Sequence, residues 1–353
     1  MTPSASSAPR SGALAGLLAA ALFGLSAPLA KLLLVDVQPV TLAGLLYCGA
    51  GIAISLAMLF RRDNPEASLQ RADVGPLLGV VLAGGILAPM LMLVGLDRVR
   101  GIVGSLLLNL EGPFTILLAV VVFREHLGRR TALATLLVLV GAGVLKTRPG
   151  EVASDATGVI CITAACLCWG LDNNLTQRLS LRDPFAVVRV KTLFAGVVNL
   201  ALGLAIGERI PSLSLVLAAA ALGAISYGAS VVLDAYALRL LGAAREAAYF
   251  ATAPFLGAIL ATVVLQERLT PIDLAAMVAM SGGVVLLLRE RHAHAHRHEP
   301  LAHEHRHTHG DDHHQHEHSA DSPPGEPHVH WHQHDAIEHD HAHTPDAHHR
   351  HGH

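Results

Sequence analysis

Two sets of residues in this chain could do chemistry, and they stand in surroundings of opposite polarity. The first is a small group of charged and amide side chains set inside long apolar stretches: Glu111, Asp172, Asn173 and Asp234, with Lys31, Arg189 and Lys191. A charge in hydrocarbon costs about 2.5 to 3.5 kcal/mol on insertion scales, so such a residue is a functional candidate by default. Glu111 is the clearest, because it lies near the middle of its stretch and two residues before the helix-weakening Pro113. A carboxyl placed there can exchange a proton or contact a cationic ligand; the plainer alternative is a structural ion pair or a hydrogen-bonding carboxyl. Asn109, Trp169, Thr252 and Pro254 stand near these groups or at the equivalent places of a repeat, and with Pro113 they complete the predicted substrate-binding set. For Asp234, Lys31, Arg189 and Lys191 the plainer expectation is snorkelling to the interface or pairing with loop charges. Cys161, Cys168 and Asp172 share a helical face and could pass a soft divalent ion. Small residues such as Cys also simply pack between membrane helices, which is the simpler account.

The second set is a histidine-rich tail. Of 24 histidines, 23 follow Arg289. The predicted metal ligands are His292, His294, His296, His298, His303, His305, His307, His309, His313, His314, His316, His318, His328, His330, His332 and His334. Neutral imidazole suits zinc, nickel, cobalt or copper, and interspersed Asp and Glu add oxygen donors. A flexible chain imposes no geometry, so the spacing does not select the metal. Protonation of all 23 histidines would swing the tail from −8 toward +15, which makes pH sensing a second reading, and repeat expansion without a function a third. The tail has almost no apolar residues and several prolines, so disorder without ligand is expected.

The elements that position the first set follow from composition. Of 353 residues 52% are hydrophobic and only 15% charged, against about 25% charged in a soluble domain. The imbalance is regional: residues 1–289 carry a net +5 and the last 64 a net −8. A hydrocarbon core about 30 Å thick needs roughly 20 helical residues. Ten apolar windows answer to it, at about 12–35, 39–60, 75–96, 101–123, 131–145, 156–175, 184–206, 213–238, 243–265 and 272–288. The first reads as a span rather than a signal peptide, because it is long and many similar runs follow. With both termini cytoplasmic, 13 Lys/Arg fall in inner loops and 6 in outer ones. All four cysteines lie in apolar stretches, which excludes a disulfide framework.

The chain also repeats itself. A shift of about 141 to 146 residues sets Phe23-Gly24-Leu25 on Trp169-Gly170-Leu171 and Glu111-Gly112-Pro113-Phe114 on Thr252-Ala253-Pro254-Phe255. Each Pro-Phe is followed by an apolar run ending in Glu, at Glu125-His126-Leu127 and Glu267-Arg268-Leu269. Five spans per half is an odd number, so the second half must be inverted, with a substrate site between the halves near the bilayer midplane. The predicted fold is all-α and integral to the membrane: ten transmembrane helices as two inverted five-helix repeats plus the tail. The expected divisions are 1–11, 12–148, 149–289 and 290–353.

These paired halves, with Trp/Phe-Gly near each start and Pro-Phe before a run ending in Glu, resemble the EamA-type members of the drug/metabolite transporter superfamily, from about Gly12 to Leu288. The resemblance implies a ten-helix exporter or exchanger of small metabolites in a bacterial-type inner membrane, with a central cavity. Glu111, where the second half has Thr252, departs from the duplicated pattern. Three functions are carried forward. One is a secondary transporter linked to transition metals, moving the ion or a chelating metabolite. Another is a general metabolite or amino-acid exporter whose tail buffers metal. The third is a membrane metal store or sensor without transport. No nucleotide loop or hydrolase motif occurs, so no enzyme, required cofactor or nucleic-acid partner is expected. Gly12 and Gly16, at small-xxx-small spacing, would permit a homodimer.

Overall fold

The computed structural model describes residues 8–60, 67–123, 128–145, 155–179, 182–241, 249–288, 292–297, 301–307, 328–334 and 338–343. Helices occupy each of the ten apolar windows. They are α1 (Ser11–Leu33), α2 (Pro39–Leu59), α3 (Arg71–Arg98), α4 (Gly101–Val122), α5 (Arg129–Leu145), α6 (Ala156–Arg178), α7 (Pro184–Ala205), α8 (Leu213–Ala237), α9 (Ala253–Val264) and α10 (Pro271–Leu287). Among the described residues seven are long and apolar enough to cross a membrane, while α9 and α10 are shorter apolar helices. The beginning of the ninth window, 243–248, and the pair Glu125-His126 lie outside the described residues. Phe194, Val197 and Val278 stand exposed on the bundle surface, as lipid-facing side chains do.

The halves pack as a two-fold requires. Each helix of the first half has an equivalent five places on, and α2 lies on α7, α4 on α9, and α5 on α10. Two further contacts, α1 on α8 and α6 on α3, are the exchanged versions of each other. Close approach is bought with small residues: a Cβ on Gly44 would collide with the Leu200 backbone at 2.6 Å, and one on Gly196 with the Cys48 backbone at 2.5 Å.

The irregularities obey the same exchange. Both α3 and α8 open into a π-helical turn, at Val81–Leu87 and Ala224–Ala229. In α3 the cause is local. The Ala88 N–H bonds to the Ala83 carbonyl, so the next carbonyl, Gly84, would be served by residue 89, which is proline and has no N–H.

Loops gather at two ends of the bundle. At one end Arg98 meets Asp155 at 2.7 Å, and Glu208 accepts from the Thr41 N–H at 2.6 Å. At the other, Arg182 meets Asp73 at 2.7 Å, and the Asp183 N–H donates to Ala67. This division is the one that ten alternating spans produce.

The tail contributes four short strands, β1 (His292–Arg297), β2 (Leu301–His307), β3 (His328–His334) and β4 (Glu338–His343). They form two antiparallel ladders, β1 with β4 and β2 with β3. A two-stranded ladder is marginal in water at best.

Candidate substrate site between the halves

Four groups of the first set, Glu111, Asp172, Asn173 and Lys191, gather where α4 of the first half meets α6 of the second and α7 beside it. Asn173 on α6 donates through Nδ2 to Glu111 Oε1 on α4 at 2.8 Å and to Thr115 Oγ1 at 3.2 Å. Its neighbour Asn174 donates to the Thr115 carbonyl at 3.0 Å, so two successive amides fasten the helices together. The approach is allowed by Gly170, where a Cβ would meet the Thr115 backbone at 2.9 Å. Glu111 is half-buried and its partner Asn173 is exposed, so the pair stands at an accessible surface rather than in a packed core. It opens the helical stretch Glu111–Phe123 directly after a 3-10 turn at Leu108–Leu110.

On the adjoining side of α6, Asp172 is buried and forms an ion pair with Lys191 of α7, with Thr176 Oγ1 donating to its other oxygen at 3.3 Å. Gly84 makes room, because any Cβ there would overlap the Asp172 side chain. The carbonyls released by the π turn of α3 are claimed from three helices. Tyr47 donates its hydroxyl to Gly84 O at 3.0 Å, Trp169 its indole N–H to the same oxygen at 3.2 Å, and Asn199 its amide to Gly85 O at 3.2 Å. Around them lies a cluster drawn from a chain poor in aromatics: Phe23 meets Trp169, Tyr227 and Phe250 with ring centroids 6.5, 5.8 and 5.1 Å apart, and Tyr47 meets Tyr227 at 5.3 Å. Such edge-on and tilted pairs fix ring orientation as well as burying area.

Of the predicted residues, Glu111, Asn173, Asp172 and Trp169 are brought together. Pro254 sits in the first turn of α9, where its missing N–H costs nothing, whereas Pro113 lies at mid-length in α4, just after the 3-10 turn Leu108–Leu110, and removes a donor from the helix there. Thr252 turns back onto the Tyr249 carbonyl at 2.6 Å, just before α9. Asn109 points away toward α10, donating to Leu106 O and approaching Met280 Sδ at 3.8 Å. Asp234 is half-buried on α8.

The expectation that Lys191 snorkels or pairs with a loop charge is corrected: it neutralises a carboxylate on a facing span. Lys31 donates to the Leu96 carbonyl at 2.7 Å. All four cysteines are free. Among the described residues of the helical bundle no three His, Cys, Asp or Glu side chains gather as a metal site, and Asp172 is paired with Lys191 rather than with Cys161 and Cys168. Of the tail ligands, His298, His309, His313, His314, His316 and His318 lie outside the described residues. Sequence reasoning missed Tyr47, Thr115, Asn199 and Tyr227, and with them the partner of Lys191; the signal available was a polar side chain inside a span.

Residues 10–147 and 156–289 each match the EamA-like transporter family. An uncharacterized transporter of Methanothermobacter thermautotrophicus is 33% identical over 284 residues, which cover 75% of this chain and 82% of that protein. A solved crystal structure, 20% identical, superposes with a TM-score of 0.58 over 78% of this chain and 96% of its own, a likeness of fold.

Proposed function

The chain belongs to the EamA-like transporter family and is an integral membrane transporter; from that premise we propose that it exports a small cationic solute, a transition-metal ion or a metal-chelating metabolite, through the site at Glu111. The observation that carries this is the Glu111–Asn173 hydrogen bond, which joins the two halves at mid-span. Alternating access moves one half against the other around such a site. Asp172 and Lys191 cancel, so an ionised Glu111 leaves the group with one uncompensated negative charge, which favours a cation over an anion. Protonation of the same carboxyl would release that cation and couple export to the proton gradient.

We assign the tail the role of concentrating metal at the inner face, with both termini cytoplasmic in a bacterial-type inner membrane. The excess of Lys/Arg in the loops on that side supports the orientation. The test compares cellular zinc, nickel, cobalt and copper by mass spectrometry in cells expressing the full chain, the chain cut after Arg291, and Glu111→Gln. Export predicts that the full chain lowers one metal and that Glu111→Gln abolishes the effect. Metal that rises with the tail and ignores Glu111 would leave a buffer beside an unrelated cargo.

A further inference from the structure

The tail is itself a duplication. His292, His294, His296 and His298 recur thirty-six residues on as His328, His330, His332 and His334, and His303, His305 and His307 recur by the same step as His339, His341 and His343. Leu301 recurs as Ile337, and His313-His314-Gln315-His316 recurs one residue short of that step as His348-His349-Arg350-His351. Two such units can close in two ways: each pairs its own strands, or they exchange them.

The register is that of exchange. Strand β1 of the first unit pairs with β4 of the second, and β2 of the first with β3 of the second. His292 stands opposite His343, while the equivalents of those two positions, His328 and His307, stand opposite each other in the second ladder. His294 with His341 is likewise repeated as His330 with His305, and His296 with His339 as His332 with His303. Each pair thus occurs twice with its members interchanged, as a two-fold axis requires. The register also sets Arg297 opposite Glu338, an opposed pair of unlike charge.

We infer that the two units close on each other as an internal pseudo-dimer and that each ladder holds one borderline divalent ion, zinc, nickel or copper, between opposed histidine positions. Directly opposed residues of an antiparallel pair lie about 4.5 to 5.5 Å apart at Cβ, and residues two apart share a face. Two neighbouring pairs therefore offer four imidazoles, a full set for a tetrahedral ion. The middle pair, His294 with His341 or His305 with His330, belongs to whichever neighbours complete the set. Bound metal would supply the stability that an uncovered two-stranded ladder lacks. This rests on the reading that the tail binds metal, and the experiment separates the two.

The full chain in detergent is loaded with zinc, washed with a chelator of intermediate strength, and its retained ions are counted by mass spectrometry. It is compared with chains cut after Arg291 and after Pro327, with His294→Ala, with His341→Ala, and with doubles of His294→Ala with either His341→Ala or His305→Ala. Exchange predicts one retained ion per ladder in the full chain. The cut after Pro327 loses both, because each ladder needs a strand of the second unit. The two single substitutions each remove one ion, the paired double removes no more, and the double across ladders removes both. If the chain cut after Pro327 keeps half the ions, or the paired double loses more than either single, exchange is overturned while metal binding stands. If the full chain retains no more than the chain cut after Arg291, the metal reading falls, and this inference with it.

Discussion

Asn173 reaches across from the second half to hold Glu111 of the first at 2.8 Å, and the same amide also holds Thr115. This bond can report on charge separately from contact. In Glu111→Gln the amide oxygen still accepts from Asn173, so the helices stay fastened while the negative charge is gone. Transport should fall at least tenfold, with stability changed by no more than about 1 kcal/mol, the value of an ordinary hydrogen bond. The checks are flux in everted vesicles and thermal unfolding in detergent. A mutant that still transports with an unchanged pH profile removes the proposed role.

The Asp172–Lys191 pair predicts the opposite pattern, stability ahead of specificity. Lys191→Met strands a buried carboxylate, leaving it the Thr176 hydroxyl at 3.3 Å in place of a cation. Breaking one side of a buried pair costs about 3 to 5 kcal/mol. The double replacement Asp172→Asn with Lys191→Met should recover most of that loss, since it leaves no uncompensated charge. Recovery in the double, measured by thermal unfolding, is the result expected; a single as stable as the parent would mean that the pair is not formed.

Glycines distinguish packed from open helix faces. A Cβ on Gly49 would run into the Ala220 backbone and one on Gly223 into the Leu46 backbone, whereas Gly75 has nothing within 4 Å. Gly49→Ala and Gly223→Ala should each cost about 1 to 3 kcal/mol through overpacking. Gly75→Ala should be neutral or stabilise by up to about 1 kcal/mol, the propensity difference. Unfolding of the three variants side by side checks the ordering.

Helices were legible in the sequence because a membrane span needs only length and low polarity, and the repeat was legible because equivalent residues kept their type. What the spans hold in common was not. Lys191 finds Asp172 only when α7 packs beside α6, and Tyr47 finds Gly84 only because α3 loosens there. Pro89 gave warning of that loosening in α3, but α8 opens at Ala224–Ala229 with no proline to announce it. Asn109 lies two residues from Glu111, and on a helix that offset turns its amide to a different face, onto Leu106 O. The exchange within the tail was present as a second duplication, although strand register rather than spacing decides which copies pair.

A pH dependence follows at the end of the bundle where α6 begins. Arg98 at 2.7 Å, aided by the Thr157 N–H at 2.9 Å, holds the Asp155 carboxyl below the usual carboxylate range. A depressed folded pKa gives stability that is present above the unfolded value, about 3.9, and lost as pH falls through the folded one. The difference between the parent and Arg98→Met should therefore be present at neutral pH and close in acid. High salt should shrink it as well, because both side chains face solvent. Unfolding midpoints across pH, at low and high ionic strength, check this.

Glu267 ends the apolar run after Pro254, and sequence alone shows it only as a letter repeated from Glu125. In the folded chain its two oxygens accept from the Gly101 and Ile102 N–H groups at 2.6 and 2.9 Å, capping the start of α4 from the second half. Arg100 stands beside it and also reaches the Arg268 carbonyl at 2.6 Å. Glu208 does the same for α2, accepting from Val40 and Thr41. Each cap joins the halves, so its loss should be felt as a loss of global stability rather than as local fraying. Glu267→Ala and Glu208→Ala should each cost about 1 to 2 kcal/mol, the upper range for a helix cap. Glu267→Gln should cost less, because one acceptor oxygen remains. The two caps share no partner, so the double should be the sum of the singles within about 0.5 kcal/mol. A double that costs clearly more than this sum, in thermal unfolding, would show that the two clamps act as one latch between the halves.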